Sequence, residues 1–213
     1  MGVSETNKAM GEAVRVQTRN RLRSFVGLPD TILGRDIGHL TLRGLTYLEL
    51  AGNIFICGSN TASSNAELHA HAIKLFWVCA PGYAPLSARG APRAMRKFEK
   101  HFLRFNAATV IGAAQDFIEQ TFMENGIFAQ KNGGGKKHGK EVPQFCNAAF
   151  YIALLAKEFG WDEEKIWDLP MRRILQYANQ IRMRYDGDFQ PPSLAYHIQL
   201  KLLKKGANDG GQS

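Results

Sequence analysis

Glu67, His69 and His71 are the residues whose types and spacing come closest to a metal or acid–base site. They lie in the segment at 63–82, SSNAELHAHAIKLFWVCAPG, which is predicted to be helical because it begins with a Ser64–Glu67 capping box. Two residues apart on a helix, the two histidines point about 200° away from each other, so they cannot grip one metal ion together. Glu67 and His71 have i, i+4 spacing, but without further ligands such a pair is typical of a helix surface. We therefore expect no metal site.

The other histidines and the cysteines do not form a recognisable catalytic motif. The histidines are scattered, with no serine, cysteine or aspartate partner in a known pattern: His39, His101, His138 and His197. The cysteines are odd in number, far apart and set among apolar residues, as reduced core thiols of a cytoplasmic protein are: Cys57, Cys79 and Cys146. The sequence therefore predicts a protein that is not an enzyme and uses no cofactor.

The stretch at 162–177, DEEKIWDLPMRRILQY, places acidic residues next to a tryptophan, a proline and two arginines. Asp162 suits an N-cap, and the acids that follow it suit the positive end of a helix dipole. Pro170 disfavours helical conformation at Leu169 and lacks a backbone donor, so one helix should end there and the next should begin at the proline. We expect a helix joint in which Trp167 and Leu169 are buried, between a short acidic helix and a long basic one.

The same region also fits the spacing of a helix-turn-helix. Ala156, Gly160 and Ile166 match the small, turn and buried aliphatic positions of that motif. Residues 161–169 carry one positive and four negative charges, a net −3, and their acids would lead the second helix. Phosphates repel such a face, because cations that neutralise the nucleic-acid backbone supply most of the non-specific affinity. The motif geometry is compatible with the sequence, whereas DNA binding through it is not.

The positive charge of the chain is concentrated in patches. The formal net charge is +8. The first patch consists of Arg15, Arg19, Arg21 and Arg23; the second of Arg89, Arg93, Arg96, Lys97, Lys100 and Arg104; the third of Lys131, Lys136, Lys137 and Lys140. Such patches keep a protein soluble, and they also attract phosphates or acidic protein surfaces. The second patch is the basis for an alternative function, a basic helical protein that binds nucleic acid.

Phenylalanines follow a helical spacing in the segment from Pro92 to Gly126. Phe98, Phe102 and Phe105 continue a stripe that begins at Met95, and core packing is the usual role of such a stripe. The other reading is a face that binds a helical client. A single helix over the whole segment would be about 50 Å long, so we expect a bend or break near Gly112.

The pattern of the whole chain predicts an all-α protein, an irregular bundle of about six helices with at most a small β-hairpin. Only the stretch IFI at 54–56 resembles a strand. We expect flexible tails at 1–12 and 206–213 and a single helical domain at 13–205, with a mobile, basic, glycine-rich loop at 130–140 and a helix at 191–205. No apolar run approaches the length of a membrane span, so we expect a soluble protein without a membrane partner.

Two segments resemble parts of a known family: HLTLRGLTYLELAGN at 39–53 and EEKIWDLPMRRILQYANQIR at 163–182. Together, over about 35 residues, they are similar to the tail assembly chaperones of tailed bacteriophages, in which an early leucine-rich helix ending in Gly-Asn and a late Trp, Leu-Pro helix junction recur. The resemblance implies a non-enzymatic morphogenesis protein, in the cytoplasm of an infected bacterium or associated with the virion. Its partner would be a phage tail protein such as the long helical tape measure, and self-association would be compatible with this role. Phe98, Phe102 and Phe105 would then be the candidate client-binding residues.

Overall fold

The computed structural model describes residues 11–12, 15, 19, 22–58, 64–81, 83, 90–123 and 147–185. The predicted tails, the glycine-rich loop at 130–140 and the predicted helix at 191–205 lie outside these residues, apart from Gly11 and Glu12, which are helical. Helical residues make up 72% of the described part of the chain, and they form eight named α-helices beside a two-stranded antiparallel hairpin. This confirms the all-α fold with a small β-hairpin.

The described residues contain ten named helices and strands and one π-helical turn. In chain order they are β1 (Asp30–Ile32), β2 (Arg35–Ile37), α1 (Leu42–Leu50), α2 (Ile54–Cys57), α3 (Asn65–Cys79), α4 (Ala91–Phe102), α5 (Ala107–Ile118), α6 (Asn147–Phe159), α7 (Glu163–Trp167) and α8 (Met171–Tyr185). A π-helical turn, Glu119–Met123, continues α5.

The hairpin does not lie where the sequence predicted a strand. Residues 54–57 form the short helix α2 instead, because the Asn53 side chain caps it by accepting from the Phe55 amide at 3.1 Å. The strands lie at 30–37, joined by Leu33 and Gly34, which have φ of 48° and 76°. Two positive φ angles match the twist of a tight hairpin, but leucine rarely adopts one. The turn is therefore hard to read from the sequence.

Helix α3 is the centre of the described structure. Its N-terminus is capped as the sequence predicts, with the Ser64 hydroxyl accepting from the Glu67 amide at 3.2 Å. Its second half is buried almost all round, and the helix packs against α1, α2, α4 and α5. One hydrophobic core surrounds it, to which the hairpin and α6 to α8 also contribute.

The long segment that follows breaks earlier than predicted. Helix α4 ends at Phe102, and Asn106 caps α5 by accepting from the Thr109 amide at 2.8 Å. Gly112 lies inside α5 without a break. The capping side chain of Asn106, which competes well for free helical amides, decides the position of the break.

Candidate functional site

The two segments on which the family resemblance rests lie against each other. Leu42 at the start of α1 donates its amide to the Leu169 carbonyl at 3.2 Å, and Met171 donates to the Leu40 carbonyl at 2.7 Å. Thr41 and Pro170 form an isolated antiparallel bridge between these two bonds. The joint between α7 and α8 is therefore fixed to the beginning of α1, and residues more than 120 positions apart form one unit.

The joint divides two helices, but its details differ from the sequence prediction. Helix α8 begins at Met171, one residue after Pro170. Asp162 has the N-cap position of α7 without a side-chain capping bond. Trp167 and Leu169 are only half-buried, whereas Ile166, which precedes Trp167, is fully buried. Ile166 is thus the residue of the joint that packs into the core, and the residues on either side of it are partly or fully exposed.

The acids of α7 are partly neutralised within the protein. Arg43 on α1 donates to Glu164 and to Asp168, each at 3.0 Å, and its guanidinium lies over the Trp167 ring. These groups are exposed, so the ion pairs add little stability. With five residues, α7 is also too short for a recognition helix that spans a major groove. The helix-turn-helix spacing is therefore used for packing at this joint.

A buried charged cluster links the hairpin to α8, and it was not found from the sequence. Arg172 donates from Nη1 to Asp30 Oδ1 at 2.9 Å, and His39 Nδ1 lies 3.1 Å from Asp30 Oδ2. Burial by itself raises the pKa of Asp30, but the His39 hydrogen bond and the Arg172 charge together outweigh it, so the pKa lies below its ordinary value. Asp30 is therefore an anion that holds α8 in place. Cys79 lies nearby, and burial raises the pKa of its thiol far above its ordinary value.

The phenylalanine stripe faces the core, which corrects the prediction of a client-binding face. Phe98 and Phe102 are almost completely buried, with exposed fractions of 1% and 0%. Their rings pack against Trp77 and Phe76 of α3, at centroid distances of 5.3 and 5.1 Å. Phe105 is half-buried against the same core. The stripe is occupied by α3, so it cannot receive a client in the folded protein.

The second basic patch forms one exposed face of α4, which we call the α4 basic face. Its described members are Arg93, Arg96, Lys97, Lys100 and Arg104. All five are exposed, and within the described part of the chain none of them forms an ion pair. Arg89, the sixth predicted member, lies outside the described residues.

An apolar cleft of about 900 Å³ opens between α1, α2, the end of α5, α6 and α8. Most of its lining is apolar, and the polar side chains include Glu49, which accepts from Asn147 at 2.7 Å. Burial raises the pKa of Tyr151 in the wall, so its hydroxyl stays protonated at neutral pH. The lining residues are Leu45, Glu49, Phe55, Ile56, Gln115, Ile118, Glu119, Phe122, Asn147, Phe150, Tyr151, Leu154, Met171, Leu175, Ala178, Asn179, Ile181 and Arg182.

The sequence contained one signal for this cleft. Helix α6 is apolar on more than one side: Ala148 and Leu155 point into the core, whereas Phe150 and Leu154, one turn apart, line the cleft. A helix with two apolar faces needs a second surface to cover it. Phe150 is 45% exposed, the largest side chain of the cleft that remains open to solvent to this degree.

Metal and membrane chemistry find no support in the described residues. There, no three or more His, Cys, Asp and Glu side chains are grouped to hold a metal ion, and no helix is long and apolar enough to cross a membrane. Comparisons with protein-family models, with curated proteins and with solved structures give no match for this chain. The apolar cleft and the α4 basic face are therefore the two features that bear on function.

Proposed function

We propose that this protein is a non-enzymatic assembly chaperone of the phage tail type, and that its cleft binds a helix of a long, tape-measure-like client. The observation that carries the proposal is the apolar cleft of about 900 Å³ between α1, α6 and α8. Concave sites with mostly apolar walls and a few polar groups are the usual places where a protein binds a ligand or partner. This assignment moves the client site from Phe98 and Phe102, which are buried, to the cleft.

A helix is the client element that suits the shape of the cleft. Its walls are themselves helices, and helices pack by placing side chains spaced i, i+3, i+4 and i+7 into the grooves between neighbours. Phe150 and Leu154 on α6 line this groove together with Leu175 and Ile181 on α8. Tyr151 adds a hydroxyl that can orient a polar side chain at the edge of the bound helix.

The wall formed by α8 is held rigid by residues behind it. Met171 and Leu175 line the cleft, while Arg172, which follows Met171, is anchored by Asp30 on the hairpin. A preorganised groove loses less conformational entropy when it binds than a flexible one does. The role of the buried cluster in this account is therefore to keep the cleft open and in one shape.

The setting implied by this function is the cytoplasm of an infected bacterium, with presence in the virion as a further expectation. There the protein would cover apolar stripes of its client until the tail tube assembles around it. The gene should then lie between a gene for a tail-tube protein and one for a very long helical protein. Its genomic neighbours are a direct first check of the setting.

The decisive experiment is co-expression with that long helical protein. We expect the client to become soluble and to co-purify with the wild-type chain. Phe150→Glu places a charge among apolar cleft residues, which should reduce the affinity about tenfold or more. Met183→Glu is the matched control, because Met183 is 42% exposed and lies outside the lining of the cleft.

Three outcomes separate this function from its rivals. Loss of co-purification with Phe150→Glu but not with Met183→Glu supports the cleft as the client site. Equal behaviour of both variants, or a client that is equally soluble without the chain, contradicts it. Circular dichroism of both variants verifies that each is folded.

A further inference from the structure

The cations of the α4 basic face point in one direction. At about 100° per residue, Arg93, Lys97 and Lys100 fall within an arc of about 60° on α4, and Arg96 widens the arc to about 100°. Leu103 and Arg104 lie in a turn just after α4, so Arg104 is an exposed cation beyond the end of the helix. The chain therefore displays a row of five positive charges.

The cations of the row point to solvent because the opposite side of α4 packs into the core. The opposite side of α4 is buried through Ala91, Phe98 and Phe102, and the two phenylalanine rings pack on α3. Glu99 is the one acid on α4, and it flanks the row rather than joining it. Turning the cations inward would require taking the phenylalanines out of the core, so the row is a fixed feature of the folded protein.

We propose that the α4 basic face binds the phosphate backbone of double-stranded nucleic acid without reading its sequence. From Arg93 to Arg104 the row is about 16 Å long at about 1.5 Å per residue. A duplex carries one phosphate per about 1.7 Å of its axis, counting both strands, so a stretch as long as the row holds about nine phosphates for its five cations. The N-terminus of α4 lies at the Arg93 end, and its left-handed Gly90 cap supplies no side-chain acceptor, so the helix dipole adds positive potential there.

The surroundings of the row favour a duplex over the other polyanions. Proteins bind single-stranded nucleic acid largely by stacking its bases on their own aromatic side chains. His101, the aromatic residue within the row, instead contacts Phe102 and Phe105, and its Nε2 lies 3.0 Å from the Leu33 carbonyl oxygen. A helix that binds a membrane surface inserts an apolar face, and that of α4 is buried against α3. Binding to a duplex requires only the exposed charges.

The test is fluorescence anisotropy of a labelled 20-base-pair DNA of arbitrary sequence with the full-length protein, between 50 and 200 mM salt. One phosphate contact per cation, the most that the row can make, predicts a slope of log affinity against log salt no steeper than about −4.5. Lys97→Glu should weaken binding at least threefold at low salt and make the slope shallower by about 1. Lys157→Glu, an exposed cation on α6, is the control, because each variant lowers the net charge of +8 by 2 to +6.

Four results would overturn the proposal. They are no binding at 50 mM salt, an equal loss with Lys97→Glu and Lys157→Glu, tighter binding of a single strand of the same length, and tighter binding of a polyglutamate peptide. The last would assign the row to an acidic protein partner. This proposal is independent of the cleft: Lys97→Glu should leave client co-purification unchanged, and Phe150→Glu should leave DNA binding unchanged.

Discussion

Arg172 donates a 2.9 Å hydrogen bond to Asp30 across 142 residues of sequence, from a position that is only 2% exposed. The bond ties the last described helix to the hairpin, and His39 completes the surroundings of the carboxylate. In the described part of the chain the second guanidinium nitrogen, Nη2, has no hydrogen-bond partner. The cluster therefore depends on Asp30, because no other described acid reaches this arginine.

Removing the carboxylate should be costly. Asp30→Ala leaves the Arg172 charge buried and unpaired, which typically lowers the free energy of unfolding by about 3–5 kcal/mol. Asp36→Ala is the matched control on the same hairpin, since Asp36 is exposed and accepts a hydrogen bond from Thr31, which is exposed too. Urea unfolding measures both. A loss below about 1 kcal/mol for Asp30→Ala would mean that the pair does not hold α8.

The same cluster predicts how stability depends on acid pH. The pKa of Asp30 is lower in the folded protein than its ordinary value of 3.8, so the unfolded chain binds its proton more readily. The stabilisation is therefore complete above about pH 5 and is lost as the pH falls below 3.8 through the folded pKa. Asp30→Asn should show a flatter decline in unfolding free energy between pH 5 and 2. Identical slopes for both proteins would contradict this assignment.

Phe98 distinguishes the core from a client-binding surface. Phe98→Ala removes a buried ring from its contact with Trp77 and should cost about 3–5 kcal/mol in unfolding free energy. Leu103→Ala, just after the end of α4, changes a side chain that is 58% exposed and should stay within about 0.5 kcal/mol of the wild type. A Phe98→Ala protein of normal stability that fails to bind the client would restore the phenylalanines as the binding site.

Two glycines should respond to alanine in opposite directions. A Cβ at Gly38 would lie 2.5 Å from the Cys79 carbonyl oxygen, to which the Gly38 amide donates at 2.7 Å, so Gly38→Ala should destabilise by about 1–3 kcal/mol. Gly112 lies within α5, where a Cβ meets no atom within 4 Å. Gly112→Ala should stabilise by about 0.5–1 kcal/mol. Thermal unfolding of both variants tests this, and destabilisation by Gly112→Ala would indicate a bend that the helix needs.

The elements that the sequence predicts well are those with local causes. The Ser64 cap, the all-α class and the division of the chain around Pro170 follow from side chains within a few residues of each other. The prediction of a bend or break near Gly112 was wrong. The first helix of the segment ends at Phe102, and Asn106 caps the start of the next one. The strand at 54–56 was wrong because Asn53 starts a helical turn there.

The site could not be predicted in the same way, because it depends on contacts that are distant in sequence. No sequence motif marks Asp30 and Arg172 as partners. The partner of His39 is also Asp30, and only the folded structure shows this contact. Phe98 and Phe150 are both phenylalanines on helices, yet Phe98 is buried against Trp77 of α3, whereas Phe150 lines the cleft. The sequence thus indicates that a helix has an apolar face, whereas the tertiary structure determines whether another helix packs on that face or solvent reaches it.

The most direct test of the cleft is site-specific photo-crosslinking to the co-expressed helical client. Phe150→p-benzoylphenylalanine places the probe in the lining of the cleft, and Met183→p-benzoylphenylalanine places it on the outer side of α8. We predict crosslinks from position 150 to client residues that recur every three or four positions, as one face of a bound helix would give. Crosslinks from position 183 with none from position 150 would contradict the account.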